Sequence, residues 1–153
     1  MNRRTLLKRT LAVGAVSVAA SAGLLAPGQV LAAYPKAAFE AKDTSGAMSG
    51  ALGSSDFTQS DEIKIKAPDI AENGSVVPVT VETGLGSVES ITLLADSNGT
   101  PMVASFDLSN AEPYVSTRIK MGKTGNVIAV VKSGGKLYGN QKEVKVTIGG
   151  CGG

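Results

Sequence analysis

The sequence predicts an all-β fold: an immunoglobulin-like antiparallel β-sandwich of about seven strands, preceded by a short N-terminal helical segment. Three observations predict it. From Glu62 onward apolar residues recur with a period of two, the repeat that puts alternate side chains on opposite faces of a strand. The clusters "ENGS", "ETGLGS", "SNGT", "GKTGN" and "SGGK" cut that region into short runs of strand length. A chain of 153 residues with 42% hydrophobic and 18% charged content is composed like one ordinary globular domain.

The first 33 residues read as an export signal rather than as part of the fold. "MNRRTLLKRT" is a basic leader, "LAVGAVSVAASAGLLAP" is an uncharged apolar run, and "VLA" or "LAA" before Tyr34 offers small residues to a signal peptidase. Gly14, Gly23 and Pro27 interrupt the apolar run, which weighs against the other reading, a retained membrane helix. Arg3 and Arg4 followed by "TLLK" match the twin-arginine pattern, with an ordinary secretory signal as the alternative. The twin-arginine route carries folded cargo, and with no cofactor ligands in this chain an assembled partner is the better reason for using it. Four of the 15 basic residues lie in this leader and all 13 acidic residues lie after it. The mature chain therefore has eleven basic residues against thirteen acidic, a net −2. The overall basicity belongs to targeting and does not point to nucleic acid.

Residues 34–60 form a leader in which Pro35 can open a helix over about Pro35–Lys42, with a second turn after Asp43 before Gly46, Gly50 and Gly53 weaken it. A disordered leader is the alternative. The sandwich is expected over 61–148. "EIKIKA" puts Ile63, Ile65 and Ala67 on one face and Lys64 and Lys66 on the other, and "VVPVTVE" does the same with Val77, Val79 and Val81. Pro78 within that run indicates an edge position or a bulge, because proline donates nothing to a ladder. "SITLLAD" is uniformly apolar. "MVASFDL" alternates on Met102, Ala104, Phe106 and Leu108, and "YVSTRIKM" on Val115, Thr117, Ile119 and Met121. "NVIAVV" is apolar on both faces, as a central strand is, and "EVKVTI" is expected to bury Val144, Val146 and Ile148.

The chemistry available is narrow. The chain has no histidine, no tryptophan and one cysteine, which excludes a Ser-His-Asp triad, a Cys-His pair and the common zinc and haem sites, so no cofactor or metal is expected. "NGS" at Asn73 and "NGT" at Asn98 match the glycan acceptor pattern, but Asn-Gly is also a strong turn signal, and the turn reading is preferred. "GKT" at Gly122 is half a phosphate loop. The glycine required five residues earlier is Thr117, on a strand, and the match is discarded. No carboxylates are convincingly paired. Lys142 and Lys145, on the last strand, read as a charged edge that discourages strand pairing between molecules, with contact to an anion held on the tail as the alternative.

Cys151 is the one reactive candidate. Four glycines, Gly149, Gly150, Gly152 and Gly153, surround it in a segment with no side chain to pack. An inert thiol, an interchain disulfide and lipidation are its bland readings. "CGG" is one residue short of a prenylation box, and a lipoprotein cysteine would stand at the cleavage site. Glycines would let the thiol enter a narrow cleft. An ordinary thiol is mostly protonated at neutral pH, so its activation is expected from a partner's active site.

The terminal "GGCGG", after a β-rich domain and a twin-arginine-like signal, resembles the SoxY family, the carrier subunits of the periplasmic sulfur-oxidising Sox system. "APDIAENGSVVPVTVET", Ala67 to Thr83, resembles that family's most typical internal segment, so the likeness covers nearly the whole mature chain. The resemblance implies a non-catalytic carrier on which Cys151 is the covalent attachment site and Gly149, Gly150, Gly152 and Gly153 form a swinging arm. It further implies a heterodimer with SoxZ and transient contacts with the SoxXA cytochrome, the SoxB hydrolase and SoxCD. In that family SoxXA conjugates thiosulfate to the carrier cysteine as an S-thiosulfonate and SoxB removes the terminal sulfonate as sulfate, which the resemblance implies for Cys151. Periplasmic location, with export alongside SoxZ and no membrane attachment, accords with the same likeness. The reading from another class is a secreted structural or adhesive sandwich whose terminal cysteine makes an interchain disulfide.

Overall fold

In the computed structural model, which describes residues 35–149, the chain opens with two short helices, α1 (Lys36–Glu40) and α2 (Thr44–Leu52). The described residues belong to one compact unit that starts at Pro35. The expected signal with Arg3 and Arg4, and the arm residues Gly150, Cys151, Gly152 and Gly153, lie outside the described residues. The Asp43 carboxylate caps α2 by accepting from the Gly46 N–H at 2.7 Å, and Gly53 ends the helix in the left-handed conformation at φ 76°. Helices this short do not stand alone in water, so packing must hold them. Gly50 makes that packing possible: a Cβ there would come within 2.9 Å of the Ala38 backbone nitrogen, so only glycine lets the two helices touch.

Nine strands come next: β1 (Thr58–Gln59), β2 (Ile63–Lys66), β3 (Ile70–Ala71), β4 (Val77–Thr83), β5 (Val88–Ala95), β6 (Met102–Asp107), β7 (Tyr114–Ile119), β8 (Gly125–Ser133) and β9 (Lys136–Val146). They form the expected two-sheet sandwich. The larger sheet runs β1-β9-β8-β5-β6 with β3 also paired to β9, and the smaller runs β2-β4-β7. Between the sheets lie Ile63, Val77, Val79, Val81, Val115 and Ile119 from the small sheet, facing Ile91, Leu93, Val127, Ala129, Val131 and Val144 from the large one. The outer face of the large sheet is covered as well. Leu94, Met102, Ile128 and Val130 pack under Ala38, Ala47 and Met48 of the helices. This explains why the runs of β5 and β8 are apolar on both faces: one side meets the second sheet and the other meets the helical layer.

Several details differ from the sequence reading. The edge of the large sheet is not wholly antiparallel, because β1 and β3 both pair parallel with β9. The chain runs along that edge, leaves it so that β2 can pair with β4, and returns. The last strand is longer at its start than "EVKVTI" suggests. It begins at Lys136, after the Gly134-Gly135 turn with φ 55° and 77°, through "KLYGNQ", which carries no alternation. In β6 the pairing skips Val103 between Leu93↔Ala104 and Leu94↔Met102. This bulge turns Met102 to the helical side while Phe106 and Leu108 pack toward the sandwich core, so the run does not keep one face. Pro78 lies in the middle strand of the small sheet, but β2 pairs only with Thr80–Thr83, so at Pro78 the strand has a neighbour, Arg118, on one side alone. The edge rule for proline is obeyed locally. Ile148, expected in the core, is 70% exposed, because β9 stops at Val146 and the chain runs past the end of the sandwich.

Candidate functional site

The described residues define the root from which the cysteine-bearing tail leaves. On leaving β9, each step of the chain is hydrogen bonded to a neighbour. The Lys145 N–H donates to Asp69 O at 3.0 Å and the Thr147 N–H to Ala71 O at 3.1 Å. The Val146 N–H donates on the other side to the Thr124 hydroxyl at 2.9 Å, and the Thr147 hydroxyl donates to Glu72 O at 3.1 Å. The Gly74 N–H then donates to Ile148 O at 2.8 Å, and the Gly74 carbonyl accepts from the Met121 N–H at 2.7 Å. The buried Gly74 backbone therefore links the root to the end of β7. Gly149 is pressed against the carbonyl of Gly122, where a Cβ would collide with the oxygen.

The two turns that make this seat are built by asparagines. The Asn73 carboxamide oxygen accepts from the Ser75 N–H at 2.9 Å, closing the turn that carries Gly74. Asn98 spans the other side: its amide donates to Lys120 O at 2.7 Å while its oxygen accepts from the Gly122 N–H at 2.9 Å. Both "NG" dipeptides act as turns, and Asn98 uses both ends of its side chain to hold the loop against which Gly149 rests.

Of the residues singled out in the sequence, Gly149 stands at this root and is held there. Lys142 is at the sheet edge with its ammonium on Ala67 O at 2.7 Å and on the Asp69 carboxylate at 3.0 Å, tying the 67–69 segment to β9. Lys145 is exposed on the opposite face of the same strand. The structure thus separates the two lysines that the sequence placed together. Two cross-strand groups on the far sheet are perturbed. The hydrogen bond between Lys66 and Glu82, 2.9 Å apart, raises the lysine's pKa and lowers the glutamate's. They lie away from the root and stabilise the sheet face.

Sequence reasoning missed Asp69, Ala71, Glu72, Gly74, Gly122 and Thr124 as members of the site. Their contribution is mainly backbone, and backbone hydrogen bonding between distant segments leaves no residue pattern. A partial signal existed: Asn73-Gly74 is a turn dipeptide inside the stretch "APDIAENGSVVPVTVET", residues 67–83, and four of these six residues fall in that stretch. Among the described residues no group of side chains could hold a metal ion, and no helix is long and apolar enough to cross a membrane.

A family model described as sulfur oxidation protein SoxY matches residues 48–151. Among solved structures, the sulfur carrier protein SoxY from Chlorobium limicola f thiosulfatophilum is 50% identical, with a TM-score of 0.60 over 67% of this chain and 94% of that one. A superoxide reductase (neelaredoxin) from Ignicoccus hospitalis is 23% identical, with a TM-score of 0.52 over 59% of this chain and 94% of that one, a likeness of fold alone. No curated protein matches the chain.

Proposed function

Because this chain belongs to the SoxY family of sulfur oxidation proteins, we propose that it carries sulfur intermediates covalently on the thiol of Cys151 and is acted on by partner enzymes rather than catalysing a reaction itself. The observation that carries this reading is the abrupt change at Gly149. The chain up to that residue is clamped on both sides, and beyond it stands a cysteine among glycines. A rigid base with a short side-chain-free extension is the arrangement needed to present a thiol to several active sites in turn.

In the first step the Cys151 thiolate and thiosulfate join through a new S–S bond, giving Cys-S-S-SO₃⁻. The two electrons released pass to a haem partner of the SoxXA kind, and the thiol proton goes to solvent. In the second, a SoxB-type hydrolase adds water across the terminal S–S bond. This gives sulfate, two protons and the cysteine persulfide anion, whose sulfane sulfur SoxCD can oxidise further. Disulfide-type bonds are stable enough to hold the cargo between enzymes and labile enough to be cleaved by the next one. The arm is Gly150, Cys151, Gly152 and Gly153, and Gly149, held at its seat, anchors it. The stable partner is SoxZ, and the compartment is the periplasm, reached by the twin-arginine route marked by Arg3 and Arg4. Lys142 and Lys145 are the two lysines of the C-terminal half of the last strand. Lys145, whose side chain is exposed, is the better placed of the two to meet an anionic adduct.

The test is intact mass spectrometry of the mature protein from thiosulfate-fed cells, with and without reductant. Reductant-labile additions of sulfur or thiosulfate at Cys151 are expected, and Cys151→Ser should abolish thiosulfate-dependent electron transfer while leaving the fold and SoxZ binding intact. An unmodified thiol, or a disulfide homodimer alone, would favour the structural reading instead.

A further inference from the structure

The loop that seats Gly149 also walls a surface pocket of about 380 Å³, lined by Asp96, Ser97, Asn98, Gly99, Gly122 and Lys123. The two connections that form it are tied together: the Ser97 hydroxyl donates to Lys123 O at 2.9 Å, and the Asn98 side chain bridges Lys120 O and the Gly122 N–H. At Gly99 the space is open, since a Cβ there would meet no atom within 4 Å. Lys123 is exposed, and among the described residues its ammonium is in no ion pair. The other charge in the lining is the Asp96 carboxylate, whose two oxygens accept from the Asn126 N–H at 2.7 Å and from the Asn126 amide at 2.8 Å. The Lys123 side of the pocket thus offers a cation with no counter-ion.

That cation stands beside the root of the tail. Lys123 follows Gly122, the residue whose carbonyl Gly149 is pressed against, and consecutive Cα atoms are about 3.8 Å apart. Lys145, by contrast, lies four residues before Gly149, and Lys142 is held by Ala67 O and Asp69. Cys151 comes two residues after Gly149, so extended backbone carries it no more than about 7 Å from the seat. In an S-thiosulfonate the terminal sulfur stands beyond the cysteine sulfur by two S–S bonds of about 2 Å each. The flexible lysine stem covers about 6 Å, so ammonium and sulfonate are within reach of each other. We propose that this pocket is a subsite for the terminal sulfonate of the adduct on Cys151, with the Lys123 ammonium as its counter-ion. This rests on the carrier reading and names the cation that meets the cargo, in place of Lys142 and Lys145. The three sulfonate oxygens accept what an ammonium donates, and the pairing is charge-assisted. A free thiol, or the persulfide left after sulfate departs, has no such oxygens. The subsite therefore fills on loading and empties when the sulfonate is removed.

The experiment loads the mature full-length protein with tetrathionate, which needs no enzyme. The Cys151 thiolate attacks a central sulfur of tetrathionate and the new S–S bond gives Cys-S-S-SO₃⁻. Thiosulfate leaves with the electron pair of the broken S–S bond, and the thiol proton goes to solvent. The rate is compared with that of a neutral dipyridyl disulfide. Lys123→Gln is expected to slow the tetrathionate reaction about threefold, the effect of an exposed ion pair, and to leave the neutral reagent unchanged. The difference should vanish near 1 M salt, where the Debye length is about 3 Å. Lys123→Arg is expected to keep the wild-type rate with both reagents, and so is Lys145→Gln. In amide NMR spectra the Gly99 signal should shift on loading in the wild type and stay in place in Lys123→Gln. Equal tetrathionate rates in Lys123→Gln and the wild type overturn the subsite, as does equal slowing with both reagents or a Gly99 amide that ignores loading. The carrier reading is judged separately, by adducts on Cys151 in thiosulfate-fed cells. If these are found while Lys123→Gln has no effect, the subsite alone falls; if they are absent, the carrier reading falls and the subsite with it.

Discussion

Replacing Gly149 by alanine tests the seat at the root of the tail directly. The backbone there is not left-handed, so the effect of a methyl group is steric rather than conformational, and the atom it meets is the Gly122 carbonyl oxygen, well inside contact distance. Both sides of this contact are backbone. Neither can rotate away, and Gly122 is further fixed by its N–H bond to Asn98. The chain must move by an ångström or more, and the bond that gives first is the last one on the root, from the Gly74 N–H to Ile148 O at 2.8 Å. A hydrogen bond of this kind contributes about 1 kcal/mol net, which corresponds to roughly a fivefold rise in the population that has opened locally. Hydrogen exchange measured by NMR should therefore show the Gly74 amide exchanging about five times faster in Gly149→Ala. The Thr147 and Lys145 amides, bonded to Ala71 O and Asp69 O, should change by less than twofold. If the Gly74 amide keeps its wild-type protection, the seat does not depend on a glycine at 149.

Met48→Ala should cost about 2–5 kcal/mol in urea unfolding, because Met48 is fully buried between the helices and the outer face of the large sheet. A loss under 1 kcal/mol would mean that the helical layer is not part of the cooperative fold. Glu82→Gln should lower the melting temperature slightly at neutral pH. The hydrogen bond from Lys66 lowers the glutamate's pKa, so the pair's stabilisation is complete above the ordinary glutamate range and is lost as pH falls through the lowered folded value. Lys66 is raised by the same bond, so its share is present below the ordinary lysine range and is lost as pH rises through the raised value. Melting curves of the two proteins should converge toward pH 3, and a gap that persists there would show that the mutation acts by something other than the ion pair.

The sandwich was legible because burial leaves a period in the sequence. Val77, Val79 and Val81, or Ile63 against Lys64, can alternate only on a strand with one face inward. The same logic failed where burial obeys no simple alternation. "KLYGNQ" pairs along its whole length with β8, yet Gly139 and Asn140 break its pattern, and Phe57 lies over Gly139 where a side chain would otherwise stand. Ile148 kept the alternation of its strand but stands past the last layer of core, and no local pattern can register where a sheet ends.

The sequence by itself determined the two-sheet β class, the absence of histidine-based catalysis and metal sites built on histidine, and the presence of a single cysteine, Cys151, among four glycines. Each of these rests on residue identity or a period of two. Only the tertiary structure decided how the chain leading to that cysteine is held, up to Gly149. The seat is made by carbonyls and amides of 69–74 and 121–122, far apart in sequence, and such groups are the same in every residue. They become a site only when folding sets them beside one another.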